Sequence, residues 1–111
     1  MKVAIAADGQ TVASHFGRCE GYEIAVIEEG EVTERERIAN PGHEPGRLPK
    51  LLSELGVDVI VAGGMGPRAQ GFFEEFDIQT ITGVAGGIDE AIEAIAWGRL
   101  MPGDDTCHHT S

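Results

Sequence analysis

The chain has 111 residues and a formal net charge of −11, with 19 acidic side chains against 8 basic ones. This length suits one domain that buries a core without staples, and so acidic a surface would repel a phosphate backbone, which argues against a nucleic-acid partner. No apolar run approaches the roughly 18 residues that a membrane span needs. The N-terminal segment is typical of a strand rather than a signal peptide, so we expect a cytoplasmic protein with no membrane partner.

Short apolar runs containing valine and isoleucine predict five strands. They lie at Lys2–Ala7, Tyr22–Glu28, Val32–Ala39, Val57–Ala62 and Ile78–Ile81. The third run is mostly polar, which favours a position near a sheet edge. The fourth is continuously apolar, as expected for a strand buried on both faces.

Three segments place apolar residues at i, i+3, i+4 and i+7, which indicates helices with one buried face. These residues are Leu48, Leu51, Leu52 and Leu55, then Ala69, Phe72, Phe73 and Phe76, then Ile88, Ala91, Ile92 and Ile95. Gly98 is suited to end the third helix. Residues 99–111 have no periodicity, so we expect a single α/β domain over residues 1–98 and a flexible C-terminal tail over 99–111.

The order β-β-β-α-β-α-β-α predicts a mixed, mostly parallel sheet with helices on its faces. The second strand returns antiparallel to the first and the third returns parallel to it. Consequently the loops 8–21, 40–46, 63–66 and 82–87 all leave from the same edge. Ligands of open α/β sheets bind at the carboxyl ends of strands, so these loops, here called the rim, are expected to form the functional site.

Two of the rim loops carry residues that bind metals. His15 and Cys19 lie four residues apart in Ser14-His15-Phe16-Gly17-Arg18-Cys19, and His43 lies among turn residues before the first helix. Imidazole and thiolate are good ligands for iron, copper and zinc. A loop histidine with a buried structural cysteine, and a solvated His43, would explain the same residues equally well.

The segment Gly63-Gly64-Met65-Gly66-Pro67-Arg68 leads from a buried strand into a helix. Free N–H groups and the helix dipole favour an anion at such a position, and glycines allow it to approach closely. The segment lacks the lysine and hydroxyl residues of a phosphate-binding loop. Taken alone, it is most simply a tight strand-to-helix turn.

Cys107 in the tail is a further candidate ligand, because thirteen extended residues reach roughly 43–47 Å and could return to the rim. Two cysteines cannot supply the four thiolates of an ordinary iron–sulfur cluster, and the absence of a C-x-x-C pair argues against structural zinc. What remains is a site that grips a preassembled anionic cluster through one to three ligands. Basic residues of the rim would offset the acidity locally, namely Arg18, Arg47 and Arg68.

Together, the H-F-G-R segment at His15–Arg18, the loop histidine before the first helix and the segment 57–69 resemble the dinitrogenase iron–molybdenum cofactor biosynthesis family, which includes NifX and the C-terminal domain of NifB. The resemblance covers about residues 1–98. It implies a three-layer α/β/α, ribonuclease-H-like fold with a five-stranded mixed sheet containing one antiparallel strand. It also implies non-catalytic binding and transfer of the iron–molybdenum cofactor, its precursor or a related metal–sulfur cluster, with His15 as the main contact.

We therefore predict a cytoplasmic cluster carrier related to nitrogen fixation, a monomer or weak homodimer, whose partners are metallocluster donor and acceptor proteins. The predicted cofactor-binding residues are His15, Phe16, Gly17, Arg18, Cys19, His43, Gly63, Gly64, Met65, Gly66 and Arg68, and the predicted metal ligands are His15, Cys19, His43 and Cys107. We expect Asp8 to fix its loop rather than touch metal.

Two alternatives remain, a regulatory module that binds a small anion at Gly63–Arg68 and an adaptor without a metal cluster. A ribonuclease-H-like fold also suggests a nuclease. Two-metal hydrolysis needs several clustered carboxylates, whereas Asp8 is the only obvious one at the end of a rim strand. The composition therefore argues against a nuclease.

Overall fold

The computed structural model describes residues 1–42 and 46–99. Its strands are β1 (Lys2–Asp8), β2 (Thr11–Val12), β3 (Gly21–Glu28), β4 (Glu31–Ala39), β5 (Val59–Val61) and β6 (Gln79–Ile81). Its helices are α1 (Arg47–Glu54), α2 (Pro67–Glu75) and α3 (Ile88–Ala96). The five predicted strands and three predicted helices are all present, so the predicted α/β class is confirmed. No helix in the described ranges combines the length and apolar character needed to cross a bilayer.

The short strand β2 is a correction, because the sequence assigned the whole of 8–21 to a loop. Its two residues, Thr11 and Val12, pair antiparallel with the end of β1. The turn between β1 and β2 is closed by the Thr11 hydroxyl, which donates a hydrogen bond of 3.0 Å to the Asp8 carbonyl. A two-residue strand has no periodicity to detect, since alternation needs at least four residues.

The sheet has the order β4-β3-β1-β5-β6, with β2 pairing β1 off this path. On that path β3 runs antiparallel to β1 and β4, while β5 runs parallel to β1 and β6 parallel to β5. The predicted mixed sheet with one antiparallel strand is thus confirmed for its five principal strands. The predicted edge position of the polar third strand, now β4, is confirmed as well.

The central strand β1 carries both cores because its side chains are buried on both faces. Val3, Ile5 and Ala7 pack towards α3, and Ala4 and Ala6 pack towards α1 and α2. The sheet therefore lies between two helical layers, as the three-layer prediction required.

One buried carboxylate fastens the β3–β4 hairpin to the start of the rim. Glu23 is 7% exposed and accepts hydrogen bonds from Nε of Arg35 at 2.8 Å and of Arg37 at 2.9 Å. Arg37 also donates from Nη1 to the Gly9 carbonyl at 2.6 Å, and Arg35 pairs with Asp89 of α3 at 2.8 Å. Two guanidinium groups compensate the buried charge, and Arg37 also links the hairpin to the turn that follows β1.

We predict that Phe73→Ala destabilises the fold far more than Phe76→Ala. Phe73 is fully buried under the sheet, whereas Phe76, at the end of the same helix, is 36% exposed. Removing a buried phenyl ring costs about 3–5 kcal/mol of unfolding free energy, and the exposed one about 1 kcal/mol or less. Urea unfolding of the two variants measures the difference. Equal losses would contradict the assignment of Phe73 to the core.

Candidate functional site

Three rim loops are stitched together by backbone hydrogen bonds. The Gly63 N–H donates to the Ala13 carbonyl at 2.9 Å, and the Phe16 N–H donates to the Gly64 carbonyl at 2.9 Å. The Gly83 N–H donates in turn to the Gly63 carbonyl at 2.9 Å. The predicted convergence of these loops at one sheet edge is therefore confirmed for the described part of the rim.

The loop that carries His15 lies directly on the backbone of Gly63 and Gly64. A Cβ atom at Gly63 would lie 3.0 Å from the Ala13 carbonyl oxygen, and one at Gly64 would lie 2.9 Å from the Ser14 carbonyl oxygen. The latter Cβ would also lie 3.8 Å from Nδ1 of His15. Glycine is required at Gly64 because a side chain would push the histidine loop away.

The loop forms one wall of a shallow surface pocket of about 500 Å³, here called the histidine pocket. Its lining consists of residues that the sequence predicted for the site: His15, Phe16, Arg18, Gly64, Met65 and Gly66. His15 and Arg18 are exposed, and Met65 is half-buried against the core beneath it. The pocket thus presents an imidazole and a guanidinium beside a stretch of glycine-rich backbone.

Phe16 anchors the loop that presents His15. Its ring packs against Tyr22 with a centroid distance of 5.8 Å and edge-on against Phe73 at 5.2 Å. Aromatic pairs of this kind stabilise by more than the area they bury. The neighbouring Gly17 has φ of 91°, which side-chain-bearing residues rarely adopt. An apolar anchor and a left-handed turn therefore set the position of His15.

Cys19 lies beneath this loop rather than in the histidine pocket. It is 5% exposed and belongs to the apolar core that contains Ala4, Tyr22 and Leu52. The sequence could not distinguish a ligand from a buried structural cysteine at this position. In the described structure the thiol faces the core, so a role as a metal ligand would require the loop to move.

The remaining predicted residues are divided among three locations. Gly63 supports the loop from below, while Gly17 and Arg68 line an adjoining groove that shares Phe16 and Gly66 with the histidine pocket. His43 and Cys107 lie outside the described residues, and their predicted roles stay predictions.

Asn40 is a positioning residue that the sequence analysis did not single out. Its Nδ2 donates to the carbonyls of Gly17 at 3.1 Å and Cys19 at 2.9 Å, and its Oδ1 accepts from the Gly42 N–H at 3.0 Å. The side chain therefore fastens the histidine loop to the loop after β4. Asparagine readily forms hydrogen bonds to nearby backbone in turns. The residue type alone does not reveal a partner more than twenty residues away in the sequence.

Asp8 fixes the other end of the same loop. Its Oδ1 accepts from the Glu20 N–H at 3.0 Å, and Oε1 of Glu20 accepts from the Gly9 N–H at 2.7 Å. This reciprocal pair confirms the expectation that Asp8 stabilises its loop. Within the described ranges, no group of three or more His, Cys, Asp or Glu side chains is arranged to hold a metal ion.

Tyr22 brings a polar atom into the core below the site. Its hydroxyl is buried next to the Cys19 thiol and the backbone of Gly17, and among the described residues neither makes a hydrogen bond of good geometry with it. Burial, followed by the neighbouring Cys19 thiol, raises the pKa of Tyr22 well above its ordinary value. The phenol therefore stays neutral in the folded protein.

Residues 1–98 match the family described as dinitrogenase iron-molybdenum cofactor, and the chain belongs to that family. An uncharacterized protein of Methanocaldococcus jannaschii is 33% identical over 105 residues, which cover 90% of this chain and 89% of that protein. The crystal structure of PH0822 superposes with a TM-score of 0.85 at 32% identity, covering 97% of this chain and 99% of the other.

The NMR structure of a Thermotoga protein, proposed to be a NifB protein, superposes with a TM-score of 0.71 at 27% identity over 91% of both chains. These relatives confirm the resemblance found in the sequence and the fold that it implied. Family membership supports a role in iron–molybdenum cofactor biosynthesis.

We predict that Gly64→Ala displaces the histidine loop and lowers the unfolding free energy by about 1–3 kcal/mol, the usual cost of overpacking. Gly71→Ala is the matched control, because a Cβ there meets nothing within 4 Å and the residue lies inside α2. Helix propensity should make that variant more stable by about 0.5–1 kcal/mol. Urea unfolding and amide NMR shifts at His15 measure both effects. Unchanged His15 shifts in Gly64→Ala would argue against the close approach.

We predict that stability falls at alkaline pH because of Tyr22. The pKa of Tyr22 is higher in the folded protein than in the unfolded chain. The neutral phenol therefore makes its full contribution to the unfolding free energy below about pH 10, and this contribution is lost as the pH rises past that value. Tyr22 is the only tyrosine, so phenolate absorbance reports it alone. The folded protein should show no phenolate signal near pH 10, and Tyr22→Phe should remove this part of the alkaline loss. A phenolate signal in the folded protein at that pH would contradict the burial.

Proposed function

We propose that the protein binds a preassembled metal–sulfur cluster at the histidine pocket and passes it on without chemical turnover. The cargo is the iron–molybdenum cofactor, its precursor or a related cluster. The observation that carries the proposal is the exposed imidazole of His15 held beside Gly64 and Gly66 in a chain of the iron-molybdenum cofactor family. Imidazole is a good ligand for iron and related transition metals.

The glycine-rich wall suits the faces of such a cargo. Sulfides at a cluster surface accept hydrogen bonds, and such contacts tune clusters in proteins. Gly66, where a Cβ would meet nothing within 4 Å, has no side chain to keep a guest from the backbone. The imidazole would bind a metal while the neighbouring backbone approaches the sulfides.

Local charge favours an anionic guest. The chain as a whole is strongly acidic, but the histidine pocket contains Arg18, and Arg68 lies in the adjoining groove. An anion that would be repelled by the rest of the surface meets positive charge here. This pattern supports entry of the cluster at the rim.

Further ligands are part of the proposal. We propose His43, on the loop before α1, and Cys107, in the tail, as additional ligands. Neither residue is among those that the structure describes. Cys19 would become a ligand only after the histidine loop opens, since its thiol is buried. We propose donor and acceptor proteins of metallocluster assembly as partners, and a monomer or weak homodimer as the working state.

The test is anaerobic titration of the intact protein with iron–molybdenum cofactor extracted from dinitrogenase, followed by charge-transfer absorption. We expect His15→Ala to weaken binding about tenfold or more, which corresponds to about 1.4 kcal/mol. Cys19→Ser, His43→Ala and Cys107→Ser measure the supporting ligands.

Equal binding by His15→Ala and the wild type would remove His15 from the site. Inorganic phosphate is titrated into the same preparation. Binding of phosphate, without binding of the cofactor, would replace the carrier by the small-anion module. An intact fold in each variant is checked by circular dichroism.

A further inference from the structure

The short segment between Phe16 and Glu20 is suspended between two well-anchored residues. Phe16 packs its ring against the core, and its N–H donates to the segment after β5 at 2.9 Å. The Glu20 N–H donates to Oδ1 of Asp8 at 3.0 Å, and the Glu20 carbonyl accepts from the Asn40 N–H at 3.1 Å. Residues 17–19, here called the flap, therefore span two points that are fixed independently of the flap itself.

One side chain holds the flap closed. Nδ2 of Asn40 donates to the carbonyl of Gly17 at 3.1 Å and to that of Cys19 at 2.9 Å. Within the described ranges, these are the two well-formed hydrogen bonds that join the flap to another segment of the chain. The Arg18 N–H donates only within the loop, to the His15 carbonyl at 3.4 Å. Because both bonds come from one amide group, a change of the Asn40 rotamer breaks them together.

The flap has the properties of a segment that opens locally. Arg18 is exposed, and Gly17 has φ of 91°, from which a glycine can reach other conformations without a steric penalty. Segments with few buried contacts and few backbone hydrogen bonds open at a lower free energy than the core does. The one flap side chain that is buried, that of Cys19, is small and apolar. Opening would therefore uncover the thiol while the anchored residues stay in place.

We propose that the flap opens as a unit, that Asn40 is the latch that holds it closed, and that the open form brings the Cys19 thiol to the histidine pocket. Arg18 already lines that pocket, so the residue next to it emerges at the pocket wall. The proposal rests on the proposed function for the role of Cys19 as a ligand beside His15. When only part of the protein is in the form that binds, the apparent affinity falls by that fraction. The latch therefore regulates how readily the site takes up its cargo.

Asn40→Asp tests the latch with the least disturbance of shape. The carboxylate retains an oxygen for the Gly42 N–H, from which Oδ1 of Asn40 accepts at 3.0 Å. It has no hydrogen to donate to the flap, since an ionised carboxylate only accepts. Oxygen would then face the carbonyl oxygens of Gly17 and Cys19, which favours the open form. Asn40→Ala removes the same donors without adding a charge and should act in the same direction.

The experiment is the labelling of Cys19 by dithionitrobenzoate in the intact, metal-free protein. A Cys107→Ser background leaves Cys19 as the one cysteine of the chain. We expect Asn40→Asp to raise the labelling rate about tenfold or more. The rate should stay nearly constant in urea well below the unfolding midpoint, because local opening exposes little surface. Labelling through global unfolding would instead rise steeply with urea.

Gln70→Glu in the same background is the matched control. The Gln70 amide also donates to a backbone carbonyl, that of Met65 at 3.0 Å, but outside the flap. This variant should be labelled at the parent rate. Equal rates in Asn40→Asp and the parent would overturn the proposal, and so would an increase that depends on urea as steeply as global unfolding does. Since every arm is metal-free, a failure of cofactor binding would contradict the proposed function and leave this result unaffected.

Discussion

The geometry of the rim depends on one close backbone contact, between residues 13–16 and the two glycines that follow β5. Two hydrogen bonds join Ala13 and Phe16 to Gly63 and Gly64 across a gap too narrow for a side chain at Gly64. The two glycines allow this contact because they have no Cβ atoms, which would collide with the backbone of residues 13 and 14. Because β5 is fully buried between β1 and β6, the histidine loop is held against a strand of the core.

Much of the fold could be predicted because burial imposes periodicity on the sequence. The apolar faces of α1, α2 and α3 and the continuous run of β5 are direct records of their surroundings. Strand direction then followed by counting reversals, and it brought the rim loops to one edge before any contact was known. The two residues of β2 escaped this method, since they leave no pattern.

The site was less predictable because its details depend on partners distant in sequence. Asn40 resembles any turn residue until its bonds to Gly17 and Cys19 are seen. A cysteine at position 19 is compatible with either a metal ligand or a core residue, and in the structure its side chain packs in the core. Tyr22 occupies an alternating strand position, and nothing in the pattern indicates that its hydroxyl would be buried without a well-formed hydrogen bond to another described residue.

The exposed edge of the sheet bears on how copies of the chain meet. Along β4, Glu34 and Glu36 lie on one face, while Arg35 and Arg37 lie on the other and are drawn towards Glu23. Antiparallel self-pairing about a two-fold axis places residues of the same face opposite each other, so a register centred on Arg35 would set glutamate against glutamate and arginine against arginine. Like charges directly opposite destabilise a pair of strands, and charged edges are a common defence against edge-to-edge association. The β4 edge is therefore a poor surface for self-association. The rim is a separate surface, because it lies at the carboxyl ends of the parallel strands rather than along β4.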